Sequence, residues 1–456
     1  MNKSTTLIIT SILMLFARCG DSDNDSPTPP NPPGNGGDEE IVIDLTDEEL
    51  LDFTQKSTFE YFWTYAESNS GAARERYETA DPNKDAQTVT TGGTGFGLMA
   101  LISGIERGYI SKDEGTARIS KILTFFENAD RFHGAWSHWI NGNTGKVIPF
   151  SGKDNGGDLV ETAFFAQGLI TVRNYFKNGN TEQQALSQKA DKLWREIEWD
   201  WYTNGEDVLY WHWSPDYGFD IGLKIQGYNE CLITYVLAAS SPTHSITKNV
   251  YTKGWAQSGN IKSSATKYGY PLIVKHAGNE EYGGPMFFSH YSFLGLNPKG
   301  LADEYVNYEE AVVNHALINY NYCVTNPKGY NGYNKYCWGL TASYSPAGYA
   351  AHSPSNDLGV IAPTAALSSI PYTPEQSLNA MKFFYSIKNI SHGIAGFYDA
   401  YSPLNNWVAK SYLAIDQGPI VIMIENYRSK LLWNLFMNDT EIKTGLTRLG
   451  FTSPEI

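Results

Sequence analysis

Apolar residues recur three or four positions apart through most of the chain after Thr46, which is the spacing of one helix face. Residues 231–239 and 420–424 are apolar around most of a helical circumference, as is typical of helices buried on all sides. The other periodic segments are amphipathic and predict helices with one face toward water. The predicted helical segments are 50–65, 98–105, 119–126, 159–175, 185–197, 231–239, 312–322, 365–370, 377–387, 420–427 and 431–437.

This mixture of buried and amphipathic helices predicts an all-α fold. We expect a two-layered ring, an (α/α) toroid in which the outer helices shield the inner ring from water. Separate helical domains are the alternative, but no linker composition follows residue 46, so we predict one domain over residues 46–456. Long loops rich in Tyr, Trp, Gly and Asn, such as 199–219 and 329–363, connect the helices, and loops of this length are usually functional.

The N-terminal segment has the pattern of an export signal. Lys3 precedes eleven mostly apolar residues, 7–17, a run of signal-peptide length that is too short to span a bilayer. Cys19 and an acidic stretch follow, although Arg18 stands where a small residue is preferred. The arrangement resembles a bacterial lipoprotein signal, so we predict a signal peptide over residues 1–18 and lipidation of Cys19. An ordinary secreted protein with a chance cysteine is the alternative.

Residues 19–45 are acidic and rich in Pro and Gly, and they predict a solvated tether. The acidic residues directly after Cys19 resemble the export signal of surface-displayed lipoproteins. We therefore expect the protein in the cell envelope, attached to the outer membrane by its N-terminal lipid and facing either the periplasm or the exterior. No other contact with a membrane is predicted.

Charge narrows the classes of partner. The net charge is −15, but residues 21–50 contain ten acidic residues and no Lys or Arg, so the body of the protein is only mildly acidic. Binding to a nucleic-acid backbone needs a basic surface, and we therefore predict no nucleic-acid partner. The same balance argues weakly against a polyanionic polysaccharide.

Sequence motifs for metal, nucleotide or serine-nucleophile chemistry are absent. The chain has no HExxH, no zinc-spaced Cys/His cluster and no GxSxG. The glycine-rich segment 92–97 lacks the Lys-Ser/Thr of a phosphate-binding loop and is better explained by close helix packing. His133 and His138, the only close histidine pair, are expected to be hydrogen-bonding residues. We predict no metal and no cofactor.

Acidic residues stand at the starts of three predicted buried helices. Asp158 and Glu161 are three residues apart at the start of one helix, which places both on the same face of its first turn. Glu230 directly precedes the second helix, and Asp416 precedes the third, with Pro419 expected at the first helical position. Helix capping and the helix dipole are sufficient explanations for any one of these acids.

Taken together, the acids predict a catalytic site. If the buried helices are parallel members of an inner ring, their N-termini share one rim and the four acids converge there. Burial would raise the pKa of Glu230 toward neutrality, as a general acid requires. Paired carboxylates in an aromatic-lined cleft are typical of glycoside hydrolysis. Loop aromatics can offer sugar-stacking faces, with core packing as the alternative for each: Trp199, Trp201, Trp211, Trp213, Trp338, Tyr344 and Trp407.

Several segments in combination resemble the bacterial glucoamylase-like domain, which defines glycoside hydrolase family 144. They are Phe59-Glu60-Tyr61-Phe62-Trp63, Gly95-Phe96-Gly97, Tyr228-Asn229-Glu230 and residues 240–244, 338–343 and 416–428. The resemblance implies an (α/α)6 barrel that hydrolyses β-1,2-glucan with inversion. The acidic pocket residues that it implies are Asp158, Glu161, Glu230 and Asp416. Asp399, inside the matching segment 396–400, is a further acid that competes with Asp416.

Inverting hydrolysis needs one protonated and one ionised carboxyl group. We predict that Glu230 is the general acid and that either Asp158 or Asp416 is the base, because helix N-termini favour the ionised form of both. Glu161 is expected to bind a sugar hydroxyl or to orient the base. The residues predicted to contact substrate are Trp211, Trp213, Tyr228, Trp338, Tyr344, Asp399 and Trp407.

The expected partner is β-glucan or a gluco-oligosaccharide. A polysaccharide lyase on a helical toroid is the first alternative, and a non-catalytic surface glycan-binding lipoprotein is the second. Endo and exo action both remain open at the level of the sequence.

Overall fold

The computed structural model describes residues 41–387 and 392–456. The predicted signal peptide, Cys19 and the tether up to residue 40 lie outside the described residues. The α-helices are α1 (Asp47–Trp63), α2 (Thr91–Glu106), α3 (Lys112–Asn128), α4 (Leu159–Phe176), α5 (Thr181–Arg195), α6 (Leu232–Ser240), α7 (Lys248–Lys253), α8 (Tyr308–Thr325), α9 (Pro363–Leu367), α10 (Pro374–Ser386), α11 (Ala414–Ser429), α12 (Leu431–Met437) and α13 (Thr440–Leu449).

These helices form two concentric rings. The inner ring runs through α2, α4, α6, the two 3₁₀ turns Met286–Ser289 and Tyr291–Phe293, then α9 and α11, which packs against α2 again. The ring closes between the 3₁₀ turns and the end of α9 through two 2.9 Å hydrogen bonds, His290 Nε2 to Ser369 Oγ and Tyr372 OH to the Ser289 carbonyl. The outer ring comprises α1, α3, α5, α13, α8 and α10. The predicted all-α double ring is confirmed as an (α/α)6 barrel.

Short antiparallel strands occur in the loops at the ends of the helices. They are Arg76–Glu78, Thr88–Thr90, Trp139–Asn141, Val147–Ile148, Gly157–Asp158, Leu209–Tyr210, His212–Trp213, Lys224–Ile225, Thr266–Lys267, Tyr270–Pro271, Ala342–Ser345, Gly348–Ala351, His392–Gly393, Gly396–Phe397, Ala400–Ser402, Trp407–Ala409 and Ser411–Leu413. One pairing concerns the site directly, since it sets Gly157 opposite Trp213 and Asp158 opposite His212. The sequence pattern did not predict these strands, because two to four residues are too few to show a clear alternation.

Glycine allows α2 and α4 to lie against each other. A Cβ atom on Gly95 would stand 2.2 Å from the carbonyl oxygen of Phe164, a distance that no packed side chain tolerates. The backbones of the two inner helices therefore touch at this point, and nearly all residues of both helices are buried. The interpretation of the glycine-rich segment 92–97 as a packing surface is confirmed.

Inner and outer helices differ in how they begin. The outer helices α1, α3, α5, α8 and α13 each start at a residue whose side chain accepts a hydrogen bond from the first turn. Of the inner α-helices, only α4 has such a cap, whereas α2, α6, α9 and α11 have none. The positive dipole ends of α2, α6, α9 and α11 therefore lack a capping side chain of their own, and other residues bind their first-turn N–H groups, as Glu161 does for Gly92 of α2. The outer helix α10 also begins without a cap.

The predicted start of the last inner helix is wrong. The last inner helix begins at Ala414, directly after the strand Ser411–Leu413, and not at Pro419. Asp416 thus lies inside the first turn, and Pro419 is the sixth helical residue. Because proline has no N–H, the carbonyl of Ile415 loses its helical hydrogen bond. The apolar pattern missed this start because the residues 414–418 include polar Asp416 and Gln417, which are nevertheless buried.

A large apolar cluster fills the space between the rings, and a second cluster lies beneath the loop 330–338 and α10. Cys231, Cys323 and Cys337 are buried as free thiols. Among the described residues, none of the helices combines the length and the apolar character that crossing a bilayer requires.

Candidate active site

The N-termini of the inner helices meet at one mouth of the barrel. Glu161 in the first turn of α4 accepts a 2.7 Å hydrogen bond from the N–H of Gly92 in the first turn of α2. Gly93 of α2 packs against Ala414 at the start of α11, and Thr364 of α9 donates its hydroxyl to the carbonyl of Asp416 at 2.8 Å. These contacts require α2, α4, α9 and α11 to run parallel, with their N-termini toward the same opening.

Asp158 is the most heavily bonded of the predicted acids. As the N-cap of α4 it accepts hydrogen bonds at Oδ1 from the N–H groups of Val160 and Glu161, at 3.0 and 2.9 Å. Its Oδ2 lies 2.9 Å from His138 Nδ1 and accepts from Trp211 Nε1 at 3.3 Å. The side chain is wholly buried. Burial opposes its ionisation, but the hydrogen bonds from two histidines outweigh burial and hold the pKa of Asp158 well below its usual range.

The two histidines that contact Asp158 are protonated near neutral pH. Burial acts to lower the pKa of both imidazoles, yet the neighbouring carboxylates outweigh it and raise the pKa of His138 and of His212 to about 9. His212 Nε2 lies 3.2 Å from Asp154 Oδ2 and 3.6 Å from Asp158 Oδ2. Both imidazolium rings therefore act as fixed positive charges against this group of acids.

Asp154, Asp158 and His212 also have the spacing of a cation site, since one donor atom of each lies within 4.8 Å of the others. The chemistry of these donors favours an ion cluster. Oδ2 of Asp158 is already shared by His138 and Trp211, which leaves this oxygen little capacity to ligate a metal. We therefore interpret the group as carboxylates held by imidazolium ions.

Glu161 faces the same mouth, one turn along α4. Its Oε2 accepts hydrogen bonds from the N–H of Gly92 and, at 3.2 Å, from the hydroxyl of Thr90. Its Oε1 lies 4.0 Å from His138 Nε2. Burial, reinforced by the charge of Asp158, raises the pKa of Glu161 above its ordinary value. Asp158 caps α4, but Glu161 does not complete a capping box, because it turns toward α2 and not back to its own helix start.

Glu230 lies two residues before the start of α6, and the residue as a whole is partly exposed. Desolvation, with smaller contributions from the charges of Glu161 and Asp158, raises the pKa of Glu230 to about 7. Its backbone carbonyl accepts a hydrogen bond from the Ser292 hydroxyl, and the Ser292 hydroxyl in turn accepts from Ile233 N–H at 3.1 Å. The inner 3₁₀ turn thus fixes the backbone that carries Glu230.

Asp399 and Asp416 form a buried carboxyl pair on the other side of the mouth. Asp399 Oδ2 accepts a 2.7 Å hydrogen bond from the N–H of Tyr344, whereas Asp399 Oδ1 and Asp416 Oδ2 receive no hydrogen bond from any donor among the described residues. Burial raises the pKa of Asp399 to about 6, although its hydrogen bonds with Tyr344 and Asp416 oppose the shift. Burial and the neighbouring Asp399 together raise the pKa of Asp416 well above its usual range. The pair therefore holds one shared proton and one negative charge near neutral pH.

Tyr291 connects the two sides of the mouth. Burial raises the pKa of this phenol, and the charges of Asp416, Glu230 and Glu161 act in the same direction, so the ring lies within the electrostatic reach of all three acids. The structure therefore gathers the four predicted acids, and Asp399 with them, around one opening.

The predicted substrate-contacting aromatics separate into two groups. Trp211, Trp213, Tyr344 and Trp407 are partly exposed. Trp211 touches Asp158, and Trp213 follows His212 in the same strand. Tyr344 donates its backbone N–H to Asp399, and its side chain and that of Trp407 pack against the same small apolar cluster.

The structure contradicts the substrate contacts predicted for Trp338 and Tyr228. Trp338 is 0% exposed in the second core cluster, where its Nε1 donates to the carbonyl of Gln376 at 3.2 Å. Tyr228 is likewise fully buried, and its hydroxyl contacts Ser289 Oγ at 3.0 Å. Trp199 is also wholly buried. These aromatics belong to segments that look like loops in the sequence but are packed inward by the rings.

Sequence reasoning missed the charged partners of the acids. His138 was expected only to be a hydrogen-bonding residue, which is confirmed, while His212, Asp154 and Tyr291 were not singled out. Asp158 and His212 are 54 positions apart and meet only because two short strands pair. The sequence carries no periodic signal for such a pairing, although His212 lies between Trp211 and Trp213 in a loop already marked as functional.

Comparisons with known proteins agree with this architecture. The family model named Glycoamylase matches residues 222–440. An endo-beta-1,2-glucanase from Chitinophaga pinensis, solved with sophorotriose and glucose, is 56% identical, with a TM-score of 0.89 over 90% of this chain and 100% of that chain. An endo-beta-1,2-glucanase from Talaromyces funiculosus shares the fold alone, at 12% identity and a TM-score of 0.62 over 88% of this chain and 92% of that one.

A curated relative from Parabacteroides distasonis is named exo beta-1,2-glucooligosaccharide sophorohydrolase (non-reducing end). It is 44% identical over 428 residues, which are 89% of this chain and 58% of the relative, so the chain spans little more than half of that protein. The full-length match to the Chitinophaga pinensis structure and the agreement of the double ring with the resemblance found in the sequence lead to one conclusion. The chain belongs to the bacterial glucoamylase-like proteins of glycoside hydrolase family 144.

Proposed function

We propose that this protein is a glycoside hydrolase that cleaves β-1,2-glucan or its oligosaccharides with inversion of the anomeric configuration. The observation that carries the proposal is the position of Glu230, a partly exposed residue at the mouth that lies within electrostatic reach of Glu161 and Asp158 and whose pKa is raised to about 7. The names of the relatives at 56% and 44% identity support the choice of β-1,2-linked glucan.

Glu230 is the general acid in this proposal. A pKa of about 7 keeps a large fraction of the carboxyl group protonated near neutral pH, so that it can donate to the leaving glycosidic oxygen. The hydrogen bond from Ser292 to its backbone fixes the residue without occupying the carboxyl group. Desolvation is the main cause of the raised pKa, as in other catalytic carboxylic acids.

The Asp399–Asp416 pair is the base: Asp416, whose pKa is raised further, holds the shared proton, and the negative charge lies mainly on Asp399. The pair has one negative charge to offer, and Asp416 Oδ2 receives no hydrogen bond from any described residue. Asp158 fits this role poorly, because both of its oxygens already accept hydrogen bonds and its pKa is depressed. We assign Asp158 to fixing His138, His212 and the start of α4, and Glu161 to binding a sugar hydroxyl.

The reaction follows from these roles. The Asp399–Asp416 pair removes a proton from water, directly or through an intervening hydroxyl, and the water oxygen forms a bond to the anomeric carbon. The bond from that carbon to the glycosidic oxygen breaks, and Glu230 supplies the proton that the leaving oxygen needs. The products are two shorter chains, one of them with an inverted anomeric centre.

Incubation of the purified protein with β-1,2-glucan tests the proposal. We expect new reducing ends, and proton NMR of the first products should show the α-anomer. The lengths of the early products decide between the two modes of action named for the relatives. A spread of oligomers indicates endo cleavage, and a single disaccharide indicates exo cleavage.

The same incubation separates the alternatives. Products that absorb in the ultraviolet, formed from uronate polymers and accompanied by no new reducing ends on neutral glucan, would identify a lyase. Retention on glucan without turnover would identify a binding protein. Either result contradicts the hydrolase proposal.

We also propose that the protein is anchored to the outer membrane through a lipid on Cys19. The apolar run 7–17 followed by Cys19 and acidic residues supports this location. Radiolabelled fatty acid should enter the protein in cells and should be absent from the Cys19→Ala variant. Equal labelling of both proteins, or labelling of neither, contradicts the anchor.

A further inference from the structure

Trp201 is an exposed tryptophan that is held in a fixed orientation. Trp201 is 43% exposed, although tryptophan is highly buried on average. One face of its indole is covered by His133, whose ring is nearly parallel at 12° and 3.7 Å between centroids. Trp213 packs edge-on against both rings, at 6.3 Å from Trp201 and 4.7 Å from His133. These three residues are called the Trp201 platform below.

The backbone beneath the platform is locked. His133 has a φ of +50°, a left-handed conformation that residues other than glycine rarely adopt. Its Nδ1 lies 3.1 Å from Glu198 Oε2, and its carbonyl accepts from the N–H of Glu198 at 3.2 Å. The N–H of Trp201 is held by the Glu198 carbonyl at 3.1 Å. The platform is therefore ordered before any ligand arrives, which reduces the entropy lost on binding.

The platform adjoins the strand that carries His212. Trp213 pairs with Gly157, and its neighbour His212 pairs with Asp158, in the same two-residue ladder. Successive residues of a strand face opposite sides of the ladder, so the ring of Trp213 lies on the side away from His212 and Asp158, against His133 and Trp201. A glucan chain would have to extend beyond the catalytic centre and across this ladder to reach the exposed face of Trp201.

The chemistry of the platform matches a neutral glucan. The face of an aromatic ring carries partial negative charge, and the axial C–H groups of a β-glucose ring present partial positive charge to it. Glu198 and Asp200 stand beside the platform with side chains 39% and 56% exposed, and their oxygens can accept hydrogen bonds from sugar hydroxyls. A polyanionic chain would be repelled by the same two carboxylates.

We propose that the Trp201 platform is a distal binding subsite, which holds a stretch of glucan chain beyond the residues that occupy the catalytic centre. The proposal rests on the proposed function and deepens it, because it assigns long chains a contact that short oligosaccharides cannot reach. Its measurable signature is a dependence of KM on chain length.

Trp201→Ala and Trp201→Phe test the subsite, with Tyr427→Ala as the matched control. Tyr427 is a comparably exposed aromatic, at 39%, near the C-terminal end of α11 and hence at the opposite end of the barrel. For Trp201→Ala we expect KM on long β-1,2-glucan to rise about five-fold, in line with the loss of one aromatic contact, with kcat unchanged. Kinetics on sophorotriose should stay within two-fold. Trp201→Phe should retain most of the affinity, and Tyr427→Ala should match the parent protein.

Binding is measured separately in the Glu230→Gln background by gel retardation in long glucan. There the Trp201→Ala variant should be retarded less than its parent. Equal KM values for Trp201→Ala and parent on long glucan overturn the subsite while leaving the hydrolase proposal intact. An equal loss of kcat/KM on long glucan and on sophorotriose also overturns it, because that result would mean that Trp201 acts in the catalytic centre or supports the folded structure. A wild-type protein that does not cleave β-1,2-glucan overturns the proposed function and the subsite together.

Discussion

At the scale of single residues, the acid and the base are distinguished by what surrounds them. Glu230 has few partners and a raised pKa, Asp158 has many partners and a lowered one, and Asp416 shares a proton with Asp399. Burial acts in the same direction on all of them, so the difference arises from the donors that each carboxylate meets. Variants that replace one carboxyl group by an amide of the same shape isolate these roles.

Glu230→Gln should lower kcat on unactivated glucan by about 100-fold or more, because general acid catalysis typically contributes 10²–10⁴-fold. The wild-type rate should fall above a pH of about 7, where Glu230 loses its proton, and below about 6, where the Asp399–Asp416 pair gains its second proton. The alkaline limb should disappear in Glu230→Gln. Glu182→Gln, at an exposed acid at the start of α5, is the control and should retain full activity. A variant at Glu230 that keeps a tenth of the wild-type kcat withdraws this residue as the acid.

Asp416→Asn and Asp158→Asn should fail in different ways. Asp416→Asn should lose at least about 100-fold in kcat without loss of Tm, because an amide can donate to Asp399 and removes one buried acid. Asp158→Asn should lower Tm, because it leaves two imidazolium ions and the first turn of α4 without their anion. Thermal unfolding and steady-state kinetics of both variants are the measurement. Unchanged kcat in Asp416→Asn would return the role of base to another acid.

Sequence reasoning found the acids because each stands beside a long apolar segment. It did not find His138 as their counter-ion or His212 at all, since contacts between residues 138, 158 and 212 depend on loop pairing. It also assigned Asp158 and Asp416 the same ionised state from their position at helix starts. The structure separates them because local donors outweigh the helix dipole, which is a weaker effect.

At the scale of elements, α2 carries glycines with two different roles. A Cβ atom on Gly92 would stand 2.7 Å from Glu161 Oε2 and 2.9 Å from Cδ2 of Phe164, whereas one on Gly97 would stand 2.9 Å from Cδ1 of Phe62. Both positions are buried, but only Gly92 contacts an acid of the mouth. The two glycines therefore form a matched pair for separating packing from catalysis.

Gly92→Ala and Gly97→Ala should both lower Tm, since overpacking a core typically costs about 1–3 kcal/mol. Only Gly92→Ala should also lower kcat/KM, by about ten-fold or more for a displacement of Glu161 from its hydrogen bonds. Kinetics below the melting temperature of each variant make the comparison. Equal kcat/KM values for the two variants would show that Glu161 tolerates displacement and has no direct role with substrate.

The helices themselves were predictable to different degrees. Long amphipathic or wholly apolar segments such as α4 and α5 were recognised, because their spacing persists for four or five turns. The predicted segment 365–370 overlaps helix α9 but is displaced by two residues at its start, since α9 has only five residues. The neighbouring section of the inner ring has no α-helix, and the spacing of its residues predicted none. The start of α11 was misplaced because buried polar residues interrupt its apolar pattern.

At the scale of the whole molecule, the buried titratable groups make the free energy of unfolding depend on pH. A histidine with a raised pKa stabilises the fold fully below its ordinary value of 6.5, and this contribution is lost as the pH rises to about 9. Glu230 and Asp399 also have raised pKa values, so their contribution to stability is likewise lost as the pH rises, but over a lower pH range. Stability should therefore decline across the neutral and alkaline range.

We expect Tm to fall between about pH 6.5 and 9, and the slope to be smaller in His138→Asn, which keeps a donor toward Asp158 but cannot titrate. His244→Asn is a suitable control, because this histidine also contacts a carboxylate, that of Asp200, but both side chains are accessible to solvent. Scanning calorimetry over this range is the measurement. A Tm that rises with pH, or identical slopes in wild type and His138→Asn, contradicts protonated imidazoles in the ion cluster.

The inner ring is not uniform, because one of its six sections consists of the 3₁₀ turns Met286–Ser289 and Tyr291–Phe293. Hydrogen bonds in 3₁₀ turns have poorer geometry than those of an α-helix, so this section opens at a lower free energy than the rest of the barrel. Ser292 within it holds the backbone of Glu230. Heating should consequently inactivate the protein before it melts. Among the sections of the inner ring, amide hydrogen exchange should be fastest in the 3₁₀ section that supports Glu230.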